Sequence, residues 1–213
     1  MGWTEFYKYK FHVTENVLIP REESEILVEQ SIMALSNSTK HNLKVLELGV
    51  GSGAIISSIL LSTSKSISAM ATDCSPAALS AAKNNSTRLG VDVTFKRGDW
   101  WDALNSNEDG PFDLIITNPP YVGTGKINER VSLSGYEPSI SLYGKEPSQS
   151  GTNDAMKIIR GASDWMADDG RLLIEHGFNQ RKILSDFATS KGLCVLEQID
   201  DLSGLPRVLI LGK

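Results

Sequence analysis

From about residue 44 to the end of the chain, short aliphatic and β-branched runs alternate with longer stretches whose apolar positions recur at helical spacing. The runs "KVLEL" (44–48), "SISAMAT" (66–72), "VTFKR" (93–97), "LIIT" (114–117), "RLLIE" (171–175), "LCVLEQI" (193–199) and "VLIL" (208–211) predict strands. The stretches between them predict helices over 53–62, 76–89, 151–167 and 179–191. Such alternation is the mark of a mostly parallel sheet covered by helices on both faces, an α/β fold. Ser75-Pro76 reads as N-cap and first helical residue, and Gly90 as the residue that closes that helix. The last two strands are joined by "DDLSGLP", too short for a crossover helix, so they are expected to pair antiparallel at one end of a mixed sheet.

Two segments depart from this rhythm. Residues 1–43 begin with "FYKYKFHV", which alternates as a strand or hairpin arm does, and continue with "REESEILVEQSIMAL", an acid-started helix. They are expected to form an arm and helix packed on a core domain of residues 44–213, the whole making one globular domain. The stretch from 122 to 152 is rich in Gly, Ser and Pro and too long for a routine connection, which points to a functional or mobile loop.

Composition narrows the function classes. A chain of 213 residues, 40% hydrophobic and 22% charged, is long enough to bury a sizeable core and is neither disordered nor collagen-like. Its formal charge of −5 provides no global basic field, so stable binding to long nucleic acid is not expected. Cys74 and Cys194 form no C-x-x-C pair and no apolar leader opens the chain, which fits a reduced, cytoplasmic compartment. No run is long enough to span a bilayer. His12, His41 and His176 show no ligand spacing, so no metal is expected.

Chemistry enters at the ends of the predicted strands. "ELGVGSGA" follows the first strand and opens the first core helix, placing Gly49, Gly51 and Gly53 where backbone must approach a ligand closely. The N–H groups of a helix start favour an anion there. Gly49-x-Gly51-x-x-Ala54 satisfies a dinucleotide fingerprint, and Asp73 closes the second strand where a ribose-binding acid would stand. "RGDWW" puts Asp99 and Trp100 just beyond the third strand, the rim for a nucleobase. Asp99 can accept from an exocyclic amine, and Trp100 offers a flat face, although each of Trp100 and Trp101 taken singly suits plain core packing as well.

The fourth strand ends in "TNPPY", residues 117–121. Pro119 and Pro120 remove two N–H donors, and Pro119 forces Asn118 into an extended conformation, so this strand tip displays acceptors and almost no donors. With the side-chain oxygen of Asn118 it forms a fork suited to a planar –NH₂ group, and Tyr121 adds a wall for stacking. An amide nitrogen is a poor nucleophile because its lone pair is delocalised. Fixing both of its N–H bonds beneath an electrophile is the remedy available, and proximity with orientation supplies ~7–11 kcal/mol.

Taken together, "ELGVGSG", "TDCSPAAL", "GDW" and "NPPY" resemble the HemK/PrmC family of protein-(glutamine-N5) methyltransferases. "FHVTENVLIPREESEILVEQ", "GYEPSISLYG", "LLIEHGFNQ" and "DLSGLPRVLILGK" extend the likeness over nearly the whole chain from about Glu5. The resemblance implies a class I, Rossmann-like fold, a seven-stranded sheet with an antiparallel C-terminal hairpin, and S-adenosyl-L-methionine as cofactor. It implies a cofactor site made of Glu47, Gly49, Val50, Gly51, Ser52 and Gly53, with Asp73 on the ribose diol, Asp99 and Trp100 around the adenine, and Asn118 at the border with the substrate. Asn118, Pro119, Pro120 and Tyr121 would orient the target amide. The implied partner is a protein substrate, the Gly-Gly-Gln loop of a peptide-chain release factor. A ribosomal protein, adenine N6 in nucleic acid, a small-molecule amine, and a non-catalytic cofactor-binding subunit are the alternatives. The family carries a helical domain ahead of the core, whereas this chain starts close to the core. Glu22 stands where the family has a proline, and "KEPSQSGTND" (145–154) replaces a Gly-rich acidic turn, so the substrate-side loop is expected to be remodelled.

Overall fold

The structure is a computed structural model that describes residues 2–124 and 137–213. Its first elements are an antiparallel hairpin, β1 (Gly2–Phe6) and β2 (Tyr9–Val13), followed by helix α1 (Glu25–Asn37). The core then runs β3 (Asn42–Leu48), α2 (Ala54–Ser62), β4 (Ser66–Asp73), α3 (Pro76–Leu89), β5 (Thr94–Arg97) and β6 (Phe112–Thr117). It finishes with a short α4 (Ser139–Tyr143), α5 (Asn153–Trp165), β7 (Met166–Glu175), α6 (Arg181–Ser190), β8 (Cys194–Asp200) and β9 (Pro206–Gly212).

Seven strands form one sheet in the order β5-β4-β3-β6-β7-β9-β8, parallel except for β9, which lies antiparallel between β7 and β8. The closing hairpin is thus at the sheet edge, as its short connection predicted. Chain direction across the sheet reverses between β3 and β6, and in open α/β sheets the crevice outside such a switch point receives the ligand. β3 is buried on both faces, which is why it reads as a nearly continuous apolar run. Leu43 and Val45 face α1 and α2 on one side, while Leu46 and Leu48 join Ile158, Ile159 and Leu184 of α5 and α6 on the other.

Capping follows the sequence. The Ser75 hydroxyl accepts from Ala78 N at 3.2 Å, Pro76 opens α3, and Gly90 ends it with φ +71°. β7, in contrast, begins five residues earlier than the apolar run 171–175 predicts, and α5 is correspondingly shorter. The polar stretch Asp168-Asp169 disguises the extension. Pairing with β6 shifts between Phe112↔Met166 and Leu114↔Arg171, so the intervening residues bulge out of register, with Gly170 too close to the Phe112 carbonyl for a side chain.

The hairpin docks on α3 through Asn85, which is 1% exposed. Its side-chain oxygen accepts from His12 N (2.8 Å), and its NH₂ donates to His12 O (2.9 Å) and to Ser52 O (2.9 Å). One side chain therefore ties the N-terminal arm to the glycine turn after β3. Phe6 and Phe11, both buried, add an edge-on ring pair 6.3 Å apart. Of the long loop expected over 122–152, residues 125–136 lie outside the described residues.

Candidate active site

The turn after β3 is built from three glycines in the left-handed region, Gly49 (φ +73°), Gly51 (φ +54°) and Gly53 (φ +77°). Gly49 N and Val50 N both donate to Thr72 O at 2.9 Å, which pins the turn to the end of β4. A Cβ on Gly51 would meet no atom within 4 Å, because that position opens into a cleft. On Gly49 it would crowd the Trp100 ring at 3.2 Å, and on Gly53 the backbone and side chain of Ala82 at 3.1–3.2 Å. Gly49, Val50, Gly51 and Ser52 line the cleft, whereas Gly53 serves the contact between the turn and α3.

Two carboxylates stand at its floor. Glu47 is 1% exposed and accepts from Ile56 N at 3.0 Å. Burial, and then the neighbouring charge of Asp73, push its pKa well above the ordinary carboxylate range. Asp73 accepts from Gly51 N (3.0 Å) on one oxygen and Ser75 N (2.8 Å) on the other, and Cys74 also lies against this carboxylate. Burial raises its pKa as well. The Thr72 hydroxyl, also on the cleft wall, is buried with no hydrogen-bond partner among the described residues. An open glycine cradle, a paired-acceptor carboxylate and an orphaned hydroxyl together fit a cationic ligand that also carries a diol.

The far rim is formed by Asp99 and Trp100. Trp100 has φ +49°, a strained conformation for a bulky residue. It is held there by Nε1 donating to Asp154 Oδ1 at 3.0 Å. Asp154 is itself 6% exposed, sits in the first turn of α5, and has its pKa raised by burial. Asp99 pairs with Lys145 at 3.3 Å, so the first residue of the "KEPSQSGTND" stretch reaches the base end of the cleft. Trp101 turns away: its Nε1 donates to Ile158 O and its ring stacks on Trp165, a packing role.

"NPPY" follows β6 at the same end of the sheet. Asn118 and Pro120 line the cleft; Pro119 and Tyr121 lie behind them. Asn118 Nδ2 donates to Ser24 Oγ at 2.9 Å, which anchors the donor end of the amide to the protein. The Tyr121 hydroxyl donates to Glu175 Oε1 at 3.2 Å, and its backbone carbonyl accepts from Gln180 Nε2 at 2.9 Å. The N-terminal arm, read from the sequence only as packing, also contributes Phe6, Val17 and Pro20 to the cleft wall. Across the mouth Glu137 accepts from Ile19 N at 2.9 Å and pairs with Arg21 at 2.6 Å. Asp154, Lys145, Thr72 and Asn85 were not singled out from the sequence. Only Asp154 carried a local signal, an acid in the first turn of a predicted helix.

Comparison with known proteins agrees with this geometry. The Methyltransferase small domain family matches residues 23–134. The release factor glutamine methyltransferase of Neisseria gonorrhoeae (strain ATCC 700825 / FA 1090) is 36% identical over 213 residues, all of this chain and 74% of that protein. Its namesake from Lactococcus lactis subsp. lactis is 33% identical, over 98% of this chain and 74% of its own. Among solved structures, the ribosomal protein L11 methylase from Lactobacillus delbrueckii subsp. bulgaricus superposes with a TM-score of 0.64 at 16% identity, covering 92% of this chain and 81% of its own. A release factor-specific protein-(glutamine-N5) methyltransferase from Alicyclobacillus acidocaldarius gives 0.54 at 21%, covering 91% and 93%. The sheet order, the glycine turn and these matches define a class I methyltransferase that uses S-adenosyl-L-methionine. At 36% identity over its whole length, the chain belongs to the release factor glutamine methyltransferase family.

Proposed function

We propose that this chain transfers a methyl group from S-adenosyl-L-methionine to the side-chain amide nitrogen of a glutamine, the one in the Gly-Gly-Gln loop of a peptide-chain release factor. The observation that carries the reading is the position of Asn118: it lines the cleft that holds the glycine turn, and its NH₂ is anchored by a bond to Ser24. Its carbonyl oxygen is then the end left to accept from an incoming –NH₂, with the Pro119 and Pro120 positions offering no N–H to compete. The names of the relatives support the substrate.

Bound in the cleft, the cofactor supplies an electrophilic methyl on a sulfonium. Gly49, Val50, Gly51 and Ser52 are suited to its amino-acid part, Asp73 to the ribose hydroxyls, and Asp99 with Trp100 to the adenine. Asp73 gives this end of the cleft a negative field that favours a cation before transfer and loses its partner afterwards, and a cation bound there would draw the buried Glu47 toward its charged form. Asn118 holds the amide so that the nitrogen lone pair faces the methyl. With the methyl donor bound, the amide held by Asn118 would gain the methyl and give up one of its two N–H protons to solvent, the donor leaving as a neutral thioether.

Tandem mass spectrometry of a release factor incubated with the protein and S-adenosyl-L-methionine tests the proposal. One added methyl on the glutamine of the Gly-Gly-Gln loop is expected. Labelling of a ribosomal protein, a nucleic acid or a small molecule instead, with the factor untouched, would overturn the substrate and keep the chemistry.

A further inference from the structure

The network behind "NPPY" contains a carboxylate that folding alone does not call for. Glu175 ends β7, and the parallel register Thr117↔Ile174 brings it out of the sheet directly beside Asn118. It is 0% exposed. Its Oε1 accepts from the Tyr121 hydroxyl, while Oε2 has no hydrogen-bond partner among the described residues. Burying a carboxylate is costly even with the Tyr121 and Ser24 hydroxyls beside it, and a leucine or glutamine would fill the space at lower cost.

What the carboxylate touches explains its presence. Ser24, 2% exposed, lies against it and receives the Asn118 NH₂. Tyr121 is gripped at both ends, its hydroxyl by Glu175 and its carbonyl by Gln180, whose other contacts are Gly177 N and Ser150 O. The charged and titratable groups facing Glu175 are Tyr121, Arg207 of β9 and Glu23; Arg207 is in turn paired with Asp201 at 2.8 Å.

We infer that Glu175 is a positioning residue for methyl transfer, holding the Tyr121 ring and, through Ser24, the Asn118 amide in the orientation that receives the target –NH₂. This rests on the reading that "NPPY" holds a glutamine amide. Glu175 does not line the cofactor cleft, so its removal acts on the substrate side alone. Burial, only partly offset by Ser24, Arg207 and Tyr121, pushes its pKa up to about 7. Ionisation strengthens the bond from Tyr121, since hydrogen bonds to charged acceptors are the stronger ones. Turnover therefore rises as the pH passes upward through about 7.

The test compares wild type, Glu175→Gln and Tyr121→Phe on a release factor, with kcat, KM, cofactor affinity and the pH profile measured for each. Glu175→Gln is expected to lower kcat on the order of 10-fold to 100-fold, the scale of a small misplacement of reacting groups, with cofactor Kd unchanged within about 2-fold. The rise near neutral pH should vanish in that variant. Tyr121→Phe cuts the same bond from the other side, so adding it to Glu175→Gln should cost less than the two single losses combined. If Glu175→Gln fails to fold, Tyr121→Phe still reads the bond through kcat and the pH profile. Wild-type kcat and an unaltered pH profile in the foldable variants overturn the inference. A wild-type protein that leaves the glutamine unmodified overturns the functional reading, and this inference with it.

Discussion

Replacing Asn85 with alanine removes three hydrogen bonds at once, those to His12 N, His12 O and Ser52 O. The His12 groups sit near solvent and water can replace their partner, but Ser52 is 4% exposed and its carbonyl would be left unpaired. Net hydrogen bonds contribute roughly 0.5–1.5 kcal/mol each and an orphaned buried group costs about 1–3 kcal/mol, so the variant should lose about 3 kcal/mol. With a urea slope of roughly 1–3 kcal/mol/M, the unfolding midpoint followed by tryptophan fluorescence should fall by about 1–3 M. Because the same side chain ties the glycine turn to an arm that carries Phe6 and Val17 into the cleft, cofactor affinity measured by calorimetry should fall as well. Asn85→Asp keeps the acceptor and loses both donors, so it should not rescue. A midpoint and an affinity equal to those of wild type would refute the idea that this one amide joins arm, helix and turn.

Asp73→Ala should weaken S-adenosyl-L-methionine binding by roughly 1.5–3 kcal/mol, about 10-fold to 100-fold in Kd by calorimetry, and binding of NADH in its place would mean the cofactor is wrong. Asn118→Ala should leave that affinity nearly intact and reduce turnover on the order of 10²–10³-fold in a methyl-transfer assay, the cost of one preorganised polar contact. For pH, the carboxyl of Glu175 is raised to about 7 from the ordinary 4.5, so the native state keeps a proton that the unfolded chain releases. Its contribution to stability is whole below 4.5 and is lost as the pH rises through about 7, roughly 3 kcal/mol in all. Urea unfolding at acid and alkaline pH should show this decline in wild type and a flatter dependence in Glu175→Gln.

How much of this protein could be read along the chain depends on how local the determining interactions are. The central strands β3 and β6 were readable because they are buried on both faces and become apolar runs between turns. Ser75-Pro76 and Gly90 bound α3 through contacts within one helical turn. The glycine turn and "NPPY" were visible for the same reason: three glycines in a left-handed turn and two prolines after an asparagine restrict backbone within a few residues. That these two motifs face one cleft followed from both standing at the carboxyl ends of strands.

The partners that complete the site were not readable. Ser24 meets Asn118 across 94 residues, Glu175 meets Tyr121 across 54, Trp100 meets Asp154 across 54, and Asn85 meets Ser52 across 33. Likewise the extra length of β7 was hidden by Asp168 and Asp169, which stay exposed where the register slips against β6 and pair with Lys213 and Lys40. A run of apolar residues says that a strand is buried but not which strand lies beside it. The sequence alone therefore determined the fold class, the local turns and the motifs that carry chemistry. Strand order and register decided which distant side chains share a buried pocket, because hydrogen bonds form over about 3 Å and only the folded sheet brings those groups that close.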